Sequence, residues 1–163
     1  MTETVTEAFA IRRSHPGDVA RLIEIWRSAV AATHDFLREA DRQEIDDASC
    51  AYLATASLWV LVDETDRPMA FSAVTGSNMD ALFVAAEAHG RGMGRRLVQH
   101  ARALSPTPTL TTQVNEENAQ AMGFYLKQGF RPVRRDACDD DGRPYPIVHL
   151  AWNGEGRGSA VEG

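Results

Sequence analysis

The 163-residue chain has few cysteines, few aromatic residues and no cluster of basic residues. Its two cysteines, Cys50 and Cys138, form no Cys-x-x-Cys pair, so we expect no disulfide and infer a reducing, cytoplasmic environment. The net charge is −6 and the arginines are scattered, which argues against nucleic acid as a partner because a phosphate backbone requires clustered Lys and Arg. No apolar run approaches the roughly 18 residues of a membrane span, so we expect no membrane association.

The length and composition suit one folded domain. With 163 residues, 44% of them hydrophobic, the chain is long enough to bury one globular core. Residues 1–8 are polar and acidic, unlike a signal peptide, and we expect them to be flexible. Residues 153–163 are rich in glycine and polar residues and are predicted to form a disordered tail. The folded domain is therefore predicted at 9–152.

Hydrophobic periodicity predicts seven strands and four helices in the order β-α-α-β-β-β-α-β-α-β-β. The strands are predicted at 9–13, 57–62, 69–75, 79–84, 109–114, 130–135 and 145–152. The helices are predicted from a cap at Ser14 to near 33–37, at 38–54, from a glycine-rich stretch to about 105, and at 117–128. The crossover through the third helix makes its two flanking strands parallel. The predicted fold is α/β, with a mixed, mostly antiparallel central sheet and helices on both faces.

The glycine-rich stretch lies at 89–94, between a buried strand and a helix. Gly90, Gly92 and Gly94 let a ligand approach the backbone closely, because no Cβ is in the way. The N–H groups of a first helical turn carry partial positive charge, so this junction suits a pyrophosphate. Its spacing matches neither the dinucleotide pattern G-x-G-x-x-G nor a triphosphate P-loop. The alternative interpretation is a turn that merely ends the strand.

A second motif follows at 114–130. A strand ends at Asn115, a helix presents Tyr125, and that helix ends at Gly129 before Phe130. In this order and separation the two motifs resemble the GCN5-related N-acetyltransferase (GNAT) family, over nearly all of the predicted domain. Further segments that are similar to a subgroup of little-characterised bacterial acetyltransferases lie at 32–37, 79–83, 114–116 and 144–146.

The resemblance implies acetyl-CoA as the co-substrate, with no metal, and a primary amine of a small molecule or peptide as the acceptor. It implies that the pantetheine arm pairs with the strand at 82–84 and that the pyrophosphate meets the amides at 90–94, with Arg91, Arg95 or Arg96 near the phosphates. The residues expected to contact acetyl-CoA are Leu82, Phe83, Val84, His89, Gly90, Arg91, Gly92, Met93, Gly94, Arg95, Asn115, Asn118 and Tyr125. A homodimer is one option, because dimers are common for this fold.

Position 89 departs from the family pattern, which has Arg or Gln there. His89 can still donate a hydrogen bond to a phosphate, but a neutral imidazole supplies less positive charge than Arg. We therefore expect phosphate affinity to rise at acid pH. The alternative is a loop residue next to a helix, with no ligand role.

Catalysis by direct attack needs an acid for the leaving thiolate and a neutral amine. Tyr125 matches the position of the family's general acid, and a phenol with a pKa of about 10 could protonate a thiolate whose thiol has a pKa of about 8.5. The alternative for Tyr125 is a ring packed in the core. Asp80 and His34 are the leading candidates for the base, with Asp35 as a third. Asn115 and Asn118 have a structural alternative, as a strand end and a helix cap.

Two further classes of function stay open. A non-catalytic acyl-CoA-binding sensor or regulatory module would use the same glycine-rich stretch without turnover. A nucleotide-binding protein of another kind would bind ADP with no advantage for the pantetheine of CoA. Thiol release from acetyl-CoA that disappears in Tyr125→Phe would distinguish the enzyme from both.

Overall fold

The computed structural model describes residues 9–33 and 35–154. The strands are β1 (Ala10–Arg13), β2 (Trp59–Val62), β3 (Pro68–Thr75), β4 (Asn78–Val84), β5 (Thr109–Asn115), β6 (Arg131–Asp136) and β7 (Ile147–Asn153). The helices are α1 (Val19–Thr33), α2 (Glu39–Thr55), α3 (Met93–Leu104) and α4 (Ala119–Lys127), and short 3-10 turns lie at Pro16–Asp18 and Ala86–Ala88. These elements follow the predicted order.

The predicted flexible start, at 1–8, and positions 155–163 of the predicted tail lie outside the described residues. At the C-terminal side of the domain, β7 extends to Asn153, which is one residue into the stretch predicted to be a disordered tail. The amide of Gly154 then donates to the carbonyl of Pro108 at 2.8 Å.

The strands hydrogen-bond in the order β1-β2-β3-β4-β5-β7-β6, and the pairing is mostly antiparallel. The exception is the parallel pairing of β4 with β5, recorded for Asn78 with Thr111 and Met79 with Thr112. The predicted α/β fold with a mixed sheet and one parallel crossover is therefore confirmed.

The described residues form two compact units, of which the first contains 9–33, 35–73 and 82–97. In this unit β1 pairs with β2, and β2 pairs with β3 so that Trp59 lies opposite Ser72. The apolar face that periodicity predicts on α1 is buried, with Leu22 and Ile25 almost fully enclosed. Burial of such side chains, at about 25 cal/mol per Å² of apolar area, stabilises this unit.

The second unit contains residues 74–81 and 98–154. Here β5 pairs with β7 along its full length, and β7 pairs with β6. The core includes Leu110, Phe130 and Leu150, all fully buried. β6 has no strand on its other side in the described sheet, and its register shifts between Pro132 and Arg134. The single folded domain expected at 9–152 stays a prediction.

The predicted cap at Ser14 is wrong. The hydroxyl of Ser14 accepts the amide of Leu58 at 2.9 Å, so it bonds to the chain before β2 instead of the first helix. The turn that precedes α1 is closed by Asp18, whose carboxylate accepts the amide of His15 at 3.0 Å. Asp18 also accepts Arg12 at 2.9 Å, and this hydrogen bond lowers the pKa of the buried carboxyl despite the opposing effect of burial.

Candidate active site

The glycine-rich stretch forms an open loop between β4 and α3, in the first unit. Gly90 and Gly92 have φ angles of +83° and +80°, a left-handed conformation that disfavours residues with a Cβ. A Cβ built at either position would have no atom within 4 Å. The backbone at these two glycines therefore faces open space, as close approach of a phosphate requires.

The start of α3 presents backbone amides at the same loop. The amide of Arg96 donates to the carbonyl of Gly92 at 3.1 Å, at the beginning of the helical hydrogen-bond pattern. The amides of Met93, Gly94 and Arg95 precede this pattern, so they are the donors that a helix start offers to an anion. Met93 is buried at 1% exposure and fixes the first turn in the core. A diphosphate fits the chemistry of this donor set.

His89 is half-buried and its side chain turns back onto β4. Its Nε2 lies 3.0 Å from the carbonyl oxygen of Val84, and because a carbonyl can only accept, Nε2 is the donor. In the neutral ring the proton on Nε2 leaves Nδ1 without one. Only the protonated ring can donate to Val84 and to a phosphate together.

The arginines of this stretch are divided between protein contacts and solvent. Arg96 donates to the carbonyl of Phe9 at 3.2 Å, and the guanidinium of Arg91 lies 5.5 Å from the centre of the Phe9 ring. Arg95 is exposed. Residues 89–96, which we name the cradle, thus combine backbone amides with nearby positive charge, and two of their arginines contact the residue before β1.

The last residues of β4, Leu82, Phe83 and Val84, are half-buried. The ring of Phe83 packs against Phe71 of β3, with 5.6 Å between their centres. The predicted pairing of a pantetheine arm with this segment stays a prediction. The carbonyl of Val84 already accepts one hydrogen bond, from His89.

Tyr125 lies on α4, in the second unit, and only 6% of its surface is exposed. Its ring contacts Phe124 and Phe130 edge-on, with centres 5.2 and 5.4 Å away. Burial raises the pKa of Tyr125 to about 12, and a hydrogen bond with the side chain of Thr112 opposes this rise. The phenol is therefore protonated throughout the physiological pH range, as an acid must be. The core packing named as the alternative is present as well.

Thr112 was missed as a functional candidate. It lies on β5 between Leu110 and Val114 in the row that faces the core, and it is 2% exposed. A threonine among apolar neighbours at alternate positions is a buried polar group, which needs a hydrogen-bond partner. The sequence shows this alternation, but it does not show that the partner of Thr112 is Tyr125 on α4.

Both asparagines of the second motif have structural roles. The Oδ1 of Asn115, the last residue of β5, accepts the amide of Glu117 at 3.1 Å. The Oδ1 of Asn118 accepts the amide of Ala121 at 3.1 Å and so caps α4. Their predicted contacts with acetyl-CoA stay predictions.

Of the candidate bases, Asp80 has the best-defined surroundings. One carboxylate oxygen accepts the hydroxyl of Thr75 at 2.5 Å, and the other accepts the side-chain amide of Asn78 at 2.5 Å. Asp80 is exposed on β4, in the same compact unit as Tyr125. Asp35 is exposed between α1 and α2, whereas His34 lies outside the described residues.

Within residues 9–33 and 35–154, the His, Cys, Asp and Glu side chains form no group of three or more that could hold a metal ion. The helices of the same residues include none with the length and apolarity to span a membrane.

Known proteins are similar in sequence to this chain over most of its length. The family model of the Acetyltransferase (GNAT) domain matches residues 54–132. The peptidyl-lysine N-acetyltransferase YjaB of Salmonella typhimurium is 47% identical over 142 residues, which cover 87% of this chain and 97% of that protein. YjaB of Escherichia coli is 48% identical over 145 residues, which cover 89% and 97%. The chain belongs to the GNAT acetyltransferase family.

Solved structures agree with this assignment. The solution structure of apo-form YjaB from Escherichia coli superimposes with a TM-score of 0.85 and 46% identity, over 89% of this chain and 97% of that one. The ribosomal-protein-S18-alanine N-acetyltransferase from Escherichia coli, at 18% identity and a TM-score of 0.60, shares the fold. The predicted family and the resemblance to its YjaB-type bacterial members are confirmed. This GNAT protein is an acyltransferase, and its activity is N-acetyl transfer.

Proposed function

We propose that this GNAT enzyme transfers the acetyl group of acetyl-CoA to lysine side-chain amines in proteins or peptides. The acceptor class is supported by the two relatives at 47% and 48% identity, which are named peptidyl-lysine N-acetyltransferases. This proposal narrows the class of acceptor, because the sequence motifs alone support an amine of either a small molecule or a peptide.

The observation that carries the choice of donor is the start of α3. Gly90 and Gly92 combine positive φ angles with open space, beside amides that precede the helical hydrogen bonds. Such a site favours a diphosphate, because several N–H groups and the helix dipole act on it together. Acetyl-CoA supplies a diphosphate and a thioester in one molecule.

Tyr125 is the proposed general acid. At neutral pH its phenol is fully protonated, and its ring packs edge-on against Phe124 and Phe130. A phenol with a pKa of about 12 is a weak acid toward a thiolate whose thiol has a pKa of about 8.5, and the difference corresponds to about 5 kcal/mol. Proton transfer therefore requires a partner that stabilises the phenolate as it forms.

Asp80 is the proposed base for the amine. An attacking lysine amine has a pKa near 10.4 in water and must lose a proton before or during attack. The side-chain carboxylate of Asp80 is exposed and accepts two hydrogen bonds, and it can also accept one from an ammonium. Asp35 and His34 remain the other candidates.

The test is acetylation of lysine-bearing peptides by the purified full chain. We expect CoA thiol release that depends on the peptide, and a mass increase of one acetyl group on a lysine. Tyr125→Phe should bind CoA as the wild type does, by calorimetry, while thiol release falls. Small polyamines in place of peptides test the acceptor class. Tight CoA binding with no release for any amine would instead favour the non-catalytic binding module.

We also propose a cytoplasmic location for this enzyme. Cys50 and Cys138 are both free thiols, which suits a reducing compartment. A homodimer stays a prediction, which a measurement of molecular mass in solution, for example by light scattering, would test.

A further inference from the structure

Asp80, the proposed base, is held at both carboxylate oxygens by side chains of its own unit. Its Oδ1 accepts the side-chain amide of Asn78 at 2.5 Å, and its Oδ2 accepts the hydroxyl of Thr75 at 2.5 Å. Thr75 ends β3 and Asn78 begins β4, so the two donors flank the turn that joins these strands. The carboxylate cannot rotate without breaking one of these bonds, and the direction of its remaining lone pairs is therefore fixed.

The donor Asn78 is itself held by two side chains of β5. Its Oδ1 accepts the hydroxyl of Thr111 at 2.6 Å and the side-chain amide of Gln113 at 2.9 Å. Thr111 is also the partner of Asn78 in the parallel ladder between β4 and β5. Asn78 and Thr111 are half-buried, whereas Asp80 is exposed to the solvent from which an amine would approach. Thr111 and Gln113 thus support Asp80 through Asn78.

These contacts determine which way round the amide of Asn78 lies. The Oδ1 atom of an asparagine can only accept a hydrogen bond, and Nδ2 can only donate. A carboxylate at position 80 needs a donor, and Thr111 and Gln113 supply donors to the opposite side of the amide. A rotated amide would place Oδ1 against a carboxylate oxygen, where neither atom can donate. The side chains of β5 therefore keep Nδ2 toward Asp80.

We propose that Asn78 is a positioning residue that aims the carboxylate of Asp80 at the acceptor amine, and that Thr111 and Gln113 hold Asn78 in this orientation. The inference rests on the proposed function, in which Asp80 is the base. Orientation matters because a displacement of about 1 Å in a reacting group can cost about a hundredfold in rate. Each carboxylate oxygen has a second lone pair beyond the one that its donor occupies, so a fixed lone pair remains for the amine.

The proton transfer balances without any further reactant. A lysine ammonium carries three protons, and the nitrogen of the amide product carries one. One of the two departing protons passes to Asp80 before the nitrogen attacks the acetyl carbon. The bond from that carbon to sulfur then breaks, and the sulfur takes the proton of Tyr125. The second proton from nitrogen returns to Tyr125 through solvent, and Asp80 releases its proton to solvent.

Two variants compare the base with its positioning residue. A general base contributes about 10²–10⁴-fold to a rate, so kcat with a lysine peptide should fall by that factor in Asp80→Asn. A hydrogen bond to a charged group corresponds to about ten- to a hundredfold, so kcat should fall by about tenfold or more in Asn78→Ala. KM for acetyl-CoA should be the same in both variants as in the wild type.

Two variants at position 111 separate the hydroxyl from the shape of the side chain. Thr111→Val keeps the branched Cβ but has no hydroxyl, whereas Thr111→Ser keeps the hydroxyl that Oδ1 of Asn78 accepts. A neutral hydrogen bond corresponds to about two- to tenfold, so kcat should fall by that factor in Thr111→Val. Thr111→Ser should restore kcat to near the wild-type value.

A double-mutant cycle and a changed acceptor exclude a merely structural role. In the Asp80→Asn background, Asn78→Ala should cause no further loss of kcat, because the group that it positions no longer acts as a base. A thialysine peptide, in which sulfur replaces the γ-methylene of lysine, has an amine of lower pKa that depends less on a base. The loss of kcat in Asn78→Ala should therefore be smaller with the thialysine peptide than with the lysine peptide.

The outcomes distinguish this inference from the proposed function. If the wild type acetylates no lysine peptide, or if Asp80→Asn keeps full activity, the proposed function or its assignment of the base fails, and the inference fails with it. If Asp80→Asn loses activity but Asn78→Ala matches the wild type, or if their losses of kcat add in the double variant, only the role of Asn78 is overturned. If Asn78→Ala does not fold, position 111 decides, since a loss in Thr111→Val with rescue in Thr111→Ser supports the inference and equal kcat values refute it.

Discussion

Replacing Gly92 by alanine separates the backbone strain of the cradle from its role in binding. An alanine held at a φ of +80° should lower the free energy of unfolding by roughly 1–2 kcal/mol, because its Cβ approaches the following carbonyl. Nothing lies within 4 Å of the added Cβ, so no clash adds to this cost. For a chain of this size the melting temperature should fall by about 2–4 °C per kcal/mol.

Gly142 is the matched control for this change. It also has a φ of +80° with nothing within 4 Å of a built Cβ, but it lies in the turn between β6 and β7. Gly142→Ala should therefore lower the melting temperature as much as Gly92→Ala does. Any difference in ligand binding between the two variants is then independent of backbone strain.

Binding of CoA should distinguish them. The Cβ of Gly92→Ala would lie where the phosphate must approach the amides, and loss of one hydrogen bond to a charged group weakens binding by about ten- to a hundredfold. Isothermal titration calorimetry with CoA should show that loss for Gly92→Ala and none for Gly142→Ala. Equal dissociation constants for the two variants, with both folded, would refute the assignment of this loop to the diphosphate.

Two further predictions concern single side chains. Because burial raises the pKa of Tyr125 from 10.0 in the unfolded chain to about 12 in the folded protein, the free energy of unfolding should fall by about 3 kcal/mol as the pH rises through that window. Urea unfolding at stepped alkaline pH should show a shallower loss in Tyr125→Phe, and an identical loss would mean that the phenol is not buried. Asn118→Ala should lower the unfolding free energy by about 1 kcal/mol while Asn118→Asp, which keeps a capping oxygen, should not, and calorimetric melting that ranks the two variants equally would exclude the cap.

Sequence patterns predicted what depends on neighbours along the chain. The period of α1, the alternation of the strands, the glycines of the cradle and the cap at Asn118 are all set by residues within a few positions of each other. These local signals, together with two motifs in the right order, were enough for the fold and the family.

The errors and omissions concern partners that are distant in the sequence. Ser14 bonds to Leu58, which is 44 residues away, so a local capping pattern could not show that its hydroxyl was occupied. The buried position of Thr112 was visible as alternation, but its bond with Tyr125 depends on how α4 packs on β5. The turn of His89 onto Val84 is short in sequence yet depends on a side-chain rotamer that no periodicity encodes.

The composition of β6 affects how copies of this protein meet one another. An edge strand with unpaired amides and carbonyls is a template on which another chain can add a strand. In β6 that template carries Pro132, which has no amide proton, and a register shift between Pro132 and Arg134. Edge-to-edge pairing of two copies through β6 is therefore disfavoured.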